Sequence, residues 1–287
     1  MSARQIWAIV GLTVGETIRR RTLLVLLILA VLSTLVVGWG VDQLVTTARA
    51  NEVQELTIRL GVSQVLILIA FLFSFVLAMS AAFLAAPAIA ADLESGTILA
   101  MLARPTSRAD IIVGRWIGLS IVIVGYTVLA GAMALFAVNA VSGYFPGEPI
   151  IALGFLAGES AIVLTLALML GVRLPAVAAG AVTVVLFAIS WFGGVLGSLA
   201  SAFDAQSIRP LTDLLRFAVP TDLLWRGVIC ALEPPIVLLL SQGIGAGQDA
   251  NPFFASSPPP PGQVLWAGAW LVGVLVLAIG LFRRREL

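Results

Sequence analysis

Every basic residue in this chain is an arginine. Of the 287 residues sixteen are Lys or Arg, none of these is lysine, and histidine is absent. That choice removes several chemistries. A phosphate-binding loop of the GxxxxGK[ST] type needs a lysine to reach the nucleotide phosphates, so the chain does not carry the usual ATP-binding engine. Imidazole general-base chemistry and most zinc sites need histidine. Cys230 stands alone, so no intramolecular disulfide forms. The acids that could do chemistry are few. Asp92 and Glu94 form a close pair, but a membrane enzyme using metal–diphosphate chemistry would want clustered D-x-x-D motifs, and no second pair accompanies them. Glu159 lies inside an otherwise uncharged stretch, where a carboxylate is costly and is a functional candidate by default. The alternative is a packing role, with Glu159 protonated or paired with Ser160 or a threonine. A net charge of +1 gives no footprint for nucleic acid.

These residues must be positioned by a chain that is 60% hydrophobic and 11% charged, with a mean hydropathy of +1.10. Soluble domains are about 25% charged, so this is an integral membrane protein. A helix needs about 20 residues to cross about 30 Å of hydrocarbon. Six spans are expected, at 22–41, 60–91, 109–139, 150–172, 175–199 and 264–282, giving an all-α polytopic fold. The second and third are long enough to project beyond the bilayer on the side of residues 92–108. No cleaved signal peptide is expected, because the first apolar run is a full span with no A-x-A site close behind it. Arginine placement sets the orientation. With the N-terminus inside, eleven arginines are cytoplasmic and five are external, and both membrane-proximal clusters, 19–21 and 283–285, lie inside.

Residues 3–20 precede the first span. Helical spacing groups Ile6, Val10, Val14 and Ile18 on one face and pairs Glu16 with Arg20 at i,i+4. An interfacial helix along the cytoplasmic surface is expected, with Trp7 as anchor and Arg19, Arg20 and Arg21 marking the turn into the membrane. Residues 200–263 form the one large non-membrane segment, read as external. It repeats T-D-L-L at Thr212–Leu215 and Thr221–Leu224, where each Thr-Asp could cap a short amphipathic helix. Residues 234–247 are apolar but too short to span, which favours a re-entrant or surface piece over a seventh span at 228–247. "NPFFASSPPPPGQ" reads as a stiff polyproline linker into the last span.

The most punctuated stretch is "DLESGTILAMLARPTSRADIIVGRWIG", from Asp92. Gly96 breaks the second span, and Thr97 caps a short helix over 98–103. Arg104-Pro105 ends that helix. Ser107 with Asp110 forms a capping box that starts the third span. Ile98, Leu99, Met101 and Leu102 are the apolar residues of that short helix, flanked by Asp92, Glu94, Arg104 and Arg108. A short apolar helix with charged shoulders suits docking into a groove on a soluble partner.

This block resembles the E-x-x-x-G-T-[LI]-x-x-[LM]-L-x-x-P-x-x-R-x-x-[IL]-[IL]-x-[GA]-[KR] pattern of ABC-2-type permeases. Matches run through Gly96, Thr97, Ile98, Met101, Leu102, Pro105, Arg108, Ile111, Ile112, Gly114 and Arg115. The acid is offset, with Asp92 four before Gly96 and Glu94 closer. In outline the resemblance covers the whole chain. It implies that 92–108 is a coupling segment seated in a cytoplasmic ATPase subunit, that ATP and magnesium are bound by that partner alone, and that two permease copies work together, as an exporter in the plasma (inner) membrane of a prokaryote with both termini cytoplasmic. "VPTDLLWRG", residues 219–227, resembles an element of permeases like that of the nitrous-oxide-reductase maturation transporter.

Small-xxx-small pairs at Gly114/Gly118, Gly154/Gly158 and Gly193/Gly197 permit close helix approach. Packing within the chain is expected for the first two. Gly193 and Gly197 are expected at a dimer contact, because the family's dimers resemble a pairing of the first and fifth spans. Other function classes remain as alternatives: a secondary transporter, which would show inverted repeats and more intramembrane polar residues, and a membrane anchor or maturation factor docking an external partner through 200–263.

Overall fold

Inside hydrocarbon a backbone must satisfy its own hydrogen bonds, so only helices and closed barrels cross it. A computed structural model describes residues 3–19, 21–94, 107–203, 205, 207–236, 251–255 and 257–285, and among these all regular structure is helical. The helices are α1 (Ala3–Arg19), α2 (Arg21–Ala50), α3 (Glu55–Ala85), α4 (Pro87–Glu94), α5 (Arg108–Ser142), α6 (Pro149–Gly171), α7 (Ala176–Ala202), α8 (Arg209–Ala218), α9 (Thr221–Leu232) and α10 (Pro261–Arg283). Six stretches are long and apolar enough to cross a membrane: Leu27–Ala50, Glu55–Glu94, Arg108–Ser142, Pro149–Gly171, Ala176–Ser201 and Pro261–Arg283. The six expected spans are therefore present. Residues 95–106, Arg20 and residues 237–250 lie outside the described set.

Local chemistry sets the helix ends. Proline opens α4, α6, α8 and α10 within the first two positions, where its missing N–H has no partner to lose. α5 begins at the expected capping box: Ser107 Oγ accepts from the Asp110 amide, and Asp110 Oδ2 accepts from the Ser107 amide. It ends at Gly143, which adopts the left-handed conformation at φ 72°. Between α2 and α3, Arg49 pairs with Glu55 at 3.1 Å across the turn. The uncharged run expected as a single second span is interrupted at Pro87, whose ring removes a helix donor. The interruption is wedged between neighbours. A Cβ on Gly171 of α6 would lie 2.5 Å from the Ala86 carbonyl, and one on Gly180 of α7 would lie 3.1 Å from the Phe83 ring.

α6 is the most buried of the six spans and packs against α3, α4, α5, α7, α9 and α10. An alanine stripe on α3 (Ala78, Ala81, Ala82, Ala85) joins Val163, Leu164, Ala167 and Leu168 of α6 in one core, which Phe282 of α10 completes. This core lies toward the end of the bundle where both termini sit. A second core toward the opposite end gathers Val62, Leu66 and Ile67 of α3 with Trp225, Val228 and Ile229 of α9. Phe71 packs its ring against others there, with centroids 5.1 Å from Trp191, 5.7 Å from Trp225 and 5.0 Å from Phe253.

α1 docks on α5 through glycines. A Cβ on Gly114 would lie 2.7 Å from Ile9 Cβ, and one on Gly118 would lie 2.7 Å from Thr13 Cβ. The buried face of α1 is Ile9, Val10, Thr13 and Thr17, which corrects the expected Ile6–Val10–Val14–Ile18 face. Ile18 is exposed. The two threonines tolerate burial because each donates its hydroxyl to the carbonyl four residues earlier, at 2.8 and 2.7 Å. Trp7, Leu12 and Ile18 occupy the free side.

The expected dimer contact at Gly193 and Gly197 is corrected by α8. A Cβ on Gly193 would lie 2.7 Å from Leu215 Cβ, and one on Gly197 would lie 3.6 Å from Thr212. Those glycines pack within the chain, as the other two pairs were expected to do. The threonine caps of the two T-D-L-L units also do not form. Thr212 is inside α8, which Pro210 has already started, and Thr221 donates its hydroxyl to Ser190 of α7 at 3.0 Å. Phe254 and Ala255 are buried, so the linker before α10 is seated on the bundle at its start.

The α1–α5 contact is set by the absent side chains of Gly114 and Gly118. Gly118→Leu is expected to destabilise the protein by about 1–3 kcal/mol through overpacking. Gly125→Ala on the same helix meets nothing within 4 Å and is expected to leave stability unchanged or raised. Thermal unfolding of both variants in detergent checks the contrast.

Candidate functional site at the arginine-rich end

Asp92, Glu94 and Arg108, which flank the segment expected to couple, sit at the end of the bundle that holds both termini. Gly96, Thr97, Ile98, Leu99, Met101, Leu102 and Pro105 lie outside the described residues. The structure does place both shoulders of that segment: α4 brings in Asp92 and Glu94, and Ser107 and Arg108 open α5.

Arg115, two turns into α5, connects the shoulders to α1. Its Nη1 donates to Glu16 Oε2 at 2.8 Å, and its Nη2 donates to Asp92 Oδ2 at 2.5 Å. The guanidinium side chain is 8% exposed, against 18% for Asp92 and 46% for Glu16. The Asp92 arm is therefore the better shielded from water, and charge pairing is strongest there. Glu16 thus engages Arg115 of α5, a partner about a hundred positions away that helical spacing along α1 could not reveal. Sequence reasoning read Arg115 only as the last basic position of the motif and as a topology marker. Its bridging role depends on α1 folding back onto α5.

Arg108 has a different task. Its Nη1 donates to the carbonyls of Phe282, Arg283 and Arg285, at 3.2, 2.9 and 2.7 Å. Its guanidinium carbon also stands 6.0 Å from the centre of the Phe282 ring. A cation at a helix C-terminus satisfies orphan carbonyls and matches the dipole. Arg285 Nη1 donates to the Val172 carbonyl behind α6. Trp116 Nε1 donates to Thr165 Oγ1 at 2.8 Å, joining α5 to α6. The start of α5, the ends of α6 and α10, and α1 are thus tied into one block beside residues 95–106.

The other end carries a second polar network, which sequence reasoning missed. Asp222 of α9 is buried and receives two guanidinium groups, Arg216 Nε at 2.8 Å and Arg226 Nε at 3.3 Å. Arg226 Nη2 also donates to Ser198 Oγ of α7 at 2.8 Å. Gly194 lets the carboxylate approach, because a Cβ there would collide with it. The available signal was the i,i+4 spacing of Asp222 and Arg226 within "VPTDLLWRG". Asp213, at the same place in the first T-D-L-L unit, is exposed, so the two copies are not equivalent. Glu159 of α6 is buried, bonded to Ser74 of α3, with its Oε2 left without a partner among the described groups. Ser160 donates to the Leu156 carbonyl of its own helix, so the Glu159–Ser160 pairing does not form. Glu233, just past α9, is buried beside Leu232, whose carbonyl accepts from Tyr144 Oη at 2.7 Å. Burial pushes the Glu233 carboxyl up to about 8, and the Ala255 amide works in the opposite direction.

Six membrane-length apolar helices and an added N-terminal helix define a polytopic helical membrane protein. The chain belongs to the ABC-2 transporter family: the family described as "ABC-2 family transporter protein" matches residues 7–287. Among curated proteins, none matches the chain. Membership makes it a membrane component of the permease kind, consistent with a chain that lacks the lysine of a phosphate-binding loop.

Two outcomes follow from these networks. Arg115→Ala removes the guanidinium that joins Asp92 to Glu16 and is expected to cost about 1–3 kcal/mol. Asp92→Asn should cost more than Glu16→Gln, because Glu16 is the more exposed acid. Unfolding midpoints of the three variants check the order. For Glu233, the folded pKa lies above the ordinary carboxylate value, so the folded state keeps a proton that the unfolded state releases. Stability is therefore expected to fall as pH rises from about 4.5 to about 8 and to level off above that. Glu233→Gln should flatten that slope in melting scans across the same range.

Proposed function

We propose that this chain is the permease subunit of an ATP-driven ABC transporter, working as a dimer with separate cytoplasmic ATPase subunits seated on residues 92–108. The observation that carries the reading is the arrangement around Arg115. One buried guanidinium joins α1, α4 and α5, and so spans both shoulders of the segment where an ATPase would push. A displacement of 97–103 by ATP-driven closure of the ATPases would pass through Asp92 into α4 and α3, and through Arg115 into α5 and α1. The segment docks through Ile98, Leu99, Met101 and Leu102, with Glu94 at its edge. Arg108 serves this docking by fixing the start of α5 to the end of α10.

The arginine-rich end faces the cytoplasm in this reading, which follows the positive-inside bias. α1 then lies at the cytoplasmic interface with Trp7, Leu12 and Ile18 toward lipid. A second copy would meet the exposed stripes of α2 (Leu32, Leu35, Trp39) and α7 (Ile189, Phe192, Leu196). Those faces replace the Gly193/Gly197 face, which α8 covers. Export across the inner membrane of a prokaryote is the direction the family resemblance implies. The sub-family of the nitrous-oxide-reductase maturation permease is supported by "VPTDLLWRG", whose Asp222 and Arg226 form the core of the polar network at the far end.

The test is co-purification of the full-length tagged chain from its own membrane. The unmodified chain is expected to bring down an ATPase with a phosphate-binding loop. Leu99→Glu combined with Leu102→Glu should lose that ATPase while keeping the elution volume and melting temperature of the parent. Equal recovery of the ATPase by the double variant would refute the docking role.

A further inference from the structure

A cavity of about 330 Å³ opens among α2, α3, α5 and α6, a volume at the low end of small-molecule sites. Its cause lies in five positions. Ala70, Ala130, Gly131, Ala134 and Ala152 line it with nothing longer than a methyl group, where larger side chains would ordinarily interdigitate. Along α2 the wall runs from Leu29 to Val37, and along α3 from Leu66 to Val76. The slot is therefore about 12–15 Å long and runs with the helix axes, at 1.5 Å per residue. Leu232 of α9 closes it toward the opposite end, and the bond from Tyr144 to the Leu232 carbonyl holds that lid. The inner walls, including Ala130, Leu135 and Leu156, are buried.

The mouth faces sideways. Leu29, Val36 and Leu72 belong to the lining and are 45%, 66% and 60% exposed, within stretches that span the membrane. What lies outside the mouth is hydrocarbon. Three hydroxyls, of Ser33, Thr34 and Tyr126, are the side-chain polar groups on the wall, and Ser33 donates its own to the Ala30 carbonyl at 3.0 Å. Water needs two to four polar partners to stay in such a space. A void of this size left empty forfeits the contacts of its whole lining.

We propose that this slot is a binding site for one acyl chain of a membrane phospholipid, entering laterally between α2 and α3. The chain lies along the bilayer normal, with its contacts on the small-residue walls of α5 and α6. The site is distinct from the Arg115 block and from the Asp222 network. It rests on the membrane-spanning architecture alone, so its failure and a failure of ATPase co-purification would be separate results.

The experiment uses the full chain in nanodiscs of phosphatidylcholine and phosphatidylglycerol, doped with a phosphatidylcholine carrying a mid-chain diazirine. After irradiation, adducts are mapped by mass spectrometry. Ala130 and Leu129 are adjacent on α5, the first on the slot wall and the second 49% exposed on the outside. Adducts are expected on Ala130, Leu135 and Leu156 as well as on Leu129. Ala134→Phe should fill the slot and reduce the wall adducts to background while Leu129 stays labelled. If that variant does not elute as the parent does, Ala152→Leu makes the same test with a smaller intrusion. Label confined to outward residues overturns the proposal, as does wall label that survives filling.

Discussion

In hydrocarbon no water is present to complete a hydrogen bond or to solvate a charge, and this chain is built under that constraint. Its effect is clearest at helix ends, where four carbonyls or four amides lack partners. Ser107 and Asp110 supply a reciprocal cap for α5. Arg108 reaches across to the last carbonyls of α10. Trp266 and Trp270 of α10 donate their indole N–H groups to the Phe217 and Ala218 carbonyls that end α8, at 3.1 and 2.8 Å. Caps made by one helix for another turn a local requirement into tertiary structure.

The same constraint explains where the charges are. The buried Asp222 and the partly buried Asp92 each face a guanidinium, and the two networks sit at opposite ends of the bundle, away from its middle. Arginine suits both places, since its fork can hold two partners at once and it keeps its charge when shielded. Arg115 spans two acids on two helices, and Asp222 collects two arginines. Between the networks the spans pack through alanine and glycine, which suits a membrane interior where no hydrophobic force drives helices together. α6 occupies the centre because it can approach six neighbours, α3, α4, α5, α7, α9 and α10. Its Gly171 meets the Pro87 break, and a Cβ on its Gly158 would lie 3.3 Å from a Leu224 methyl on α9.

These arrangements cross-link the two described flanks of the segment that would receive force in the proposed transporter. A segment pushed by a partner can move a bundle only if both of its flanks are anchored. Here they are joined through Asp92 and Arg115, and α1 is bound into the same junction by Glu16 and by the Gly114 and Gly118 contacts. Residues 95–106 are the loading point in the proposed transporter, and the block behind them is the part that would transmit the load. The opposite end carries α8 and α9, stapled to α7 by the Ser190–Thr221 and Arg226–Ser198 bonds.

The sequence alone determined the membrane class, the six spans and the capping box at Ser107, because hydropathy, span length and local capping are properties of neighbouring residues. It also carried the family pattern through Gly114 and Arg115, and the exclusion of a lysine-based phosphate loop. Contacts between distant helices were not legible in it. Glu16 and Arg115 are separated by ninety-nine positions, so only the docking of α1 on α5 could pair them. The buried face of α1 shifted because the partner surface is a glycine groove that accepts threonines. Gly193 and Gly197 met α8 because the external segment folds back over α7. The slot beside Ala130 exists only where small residues from four helices coincide. Pairing, face and void are set by which surfaces meet, and that is decided by packing.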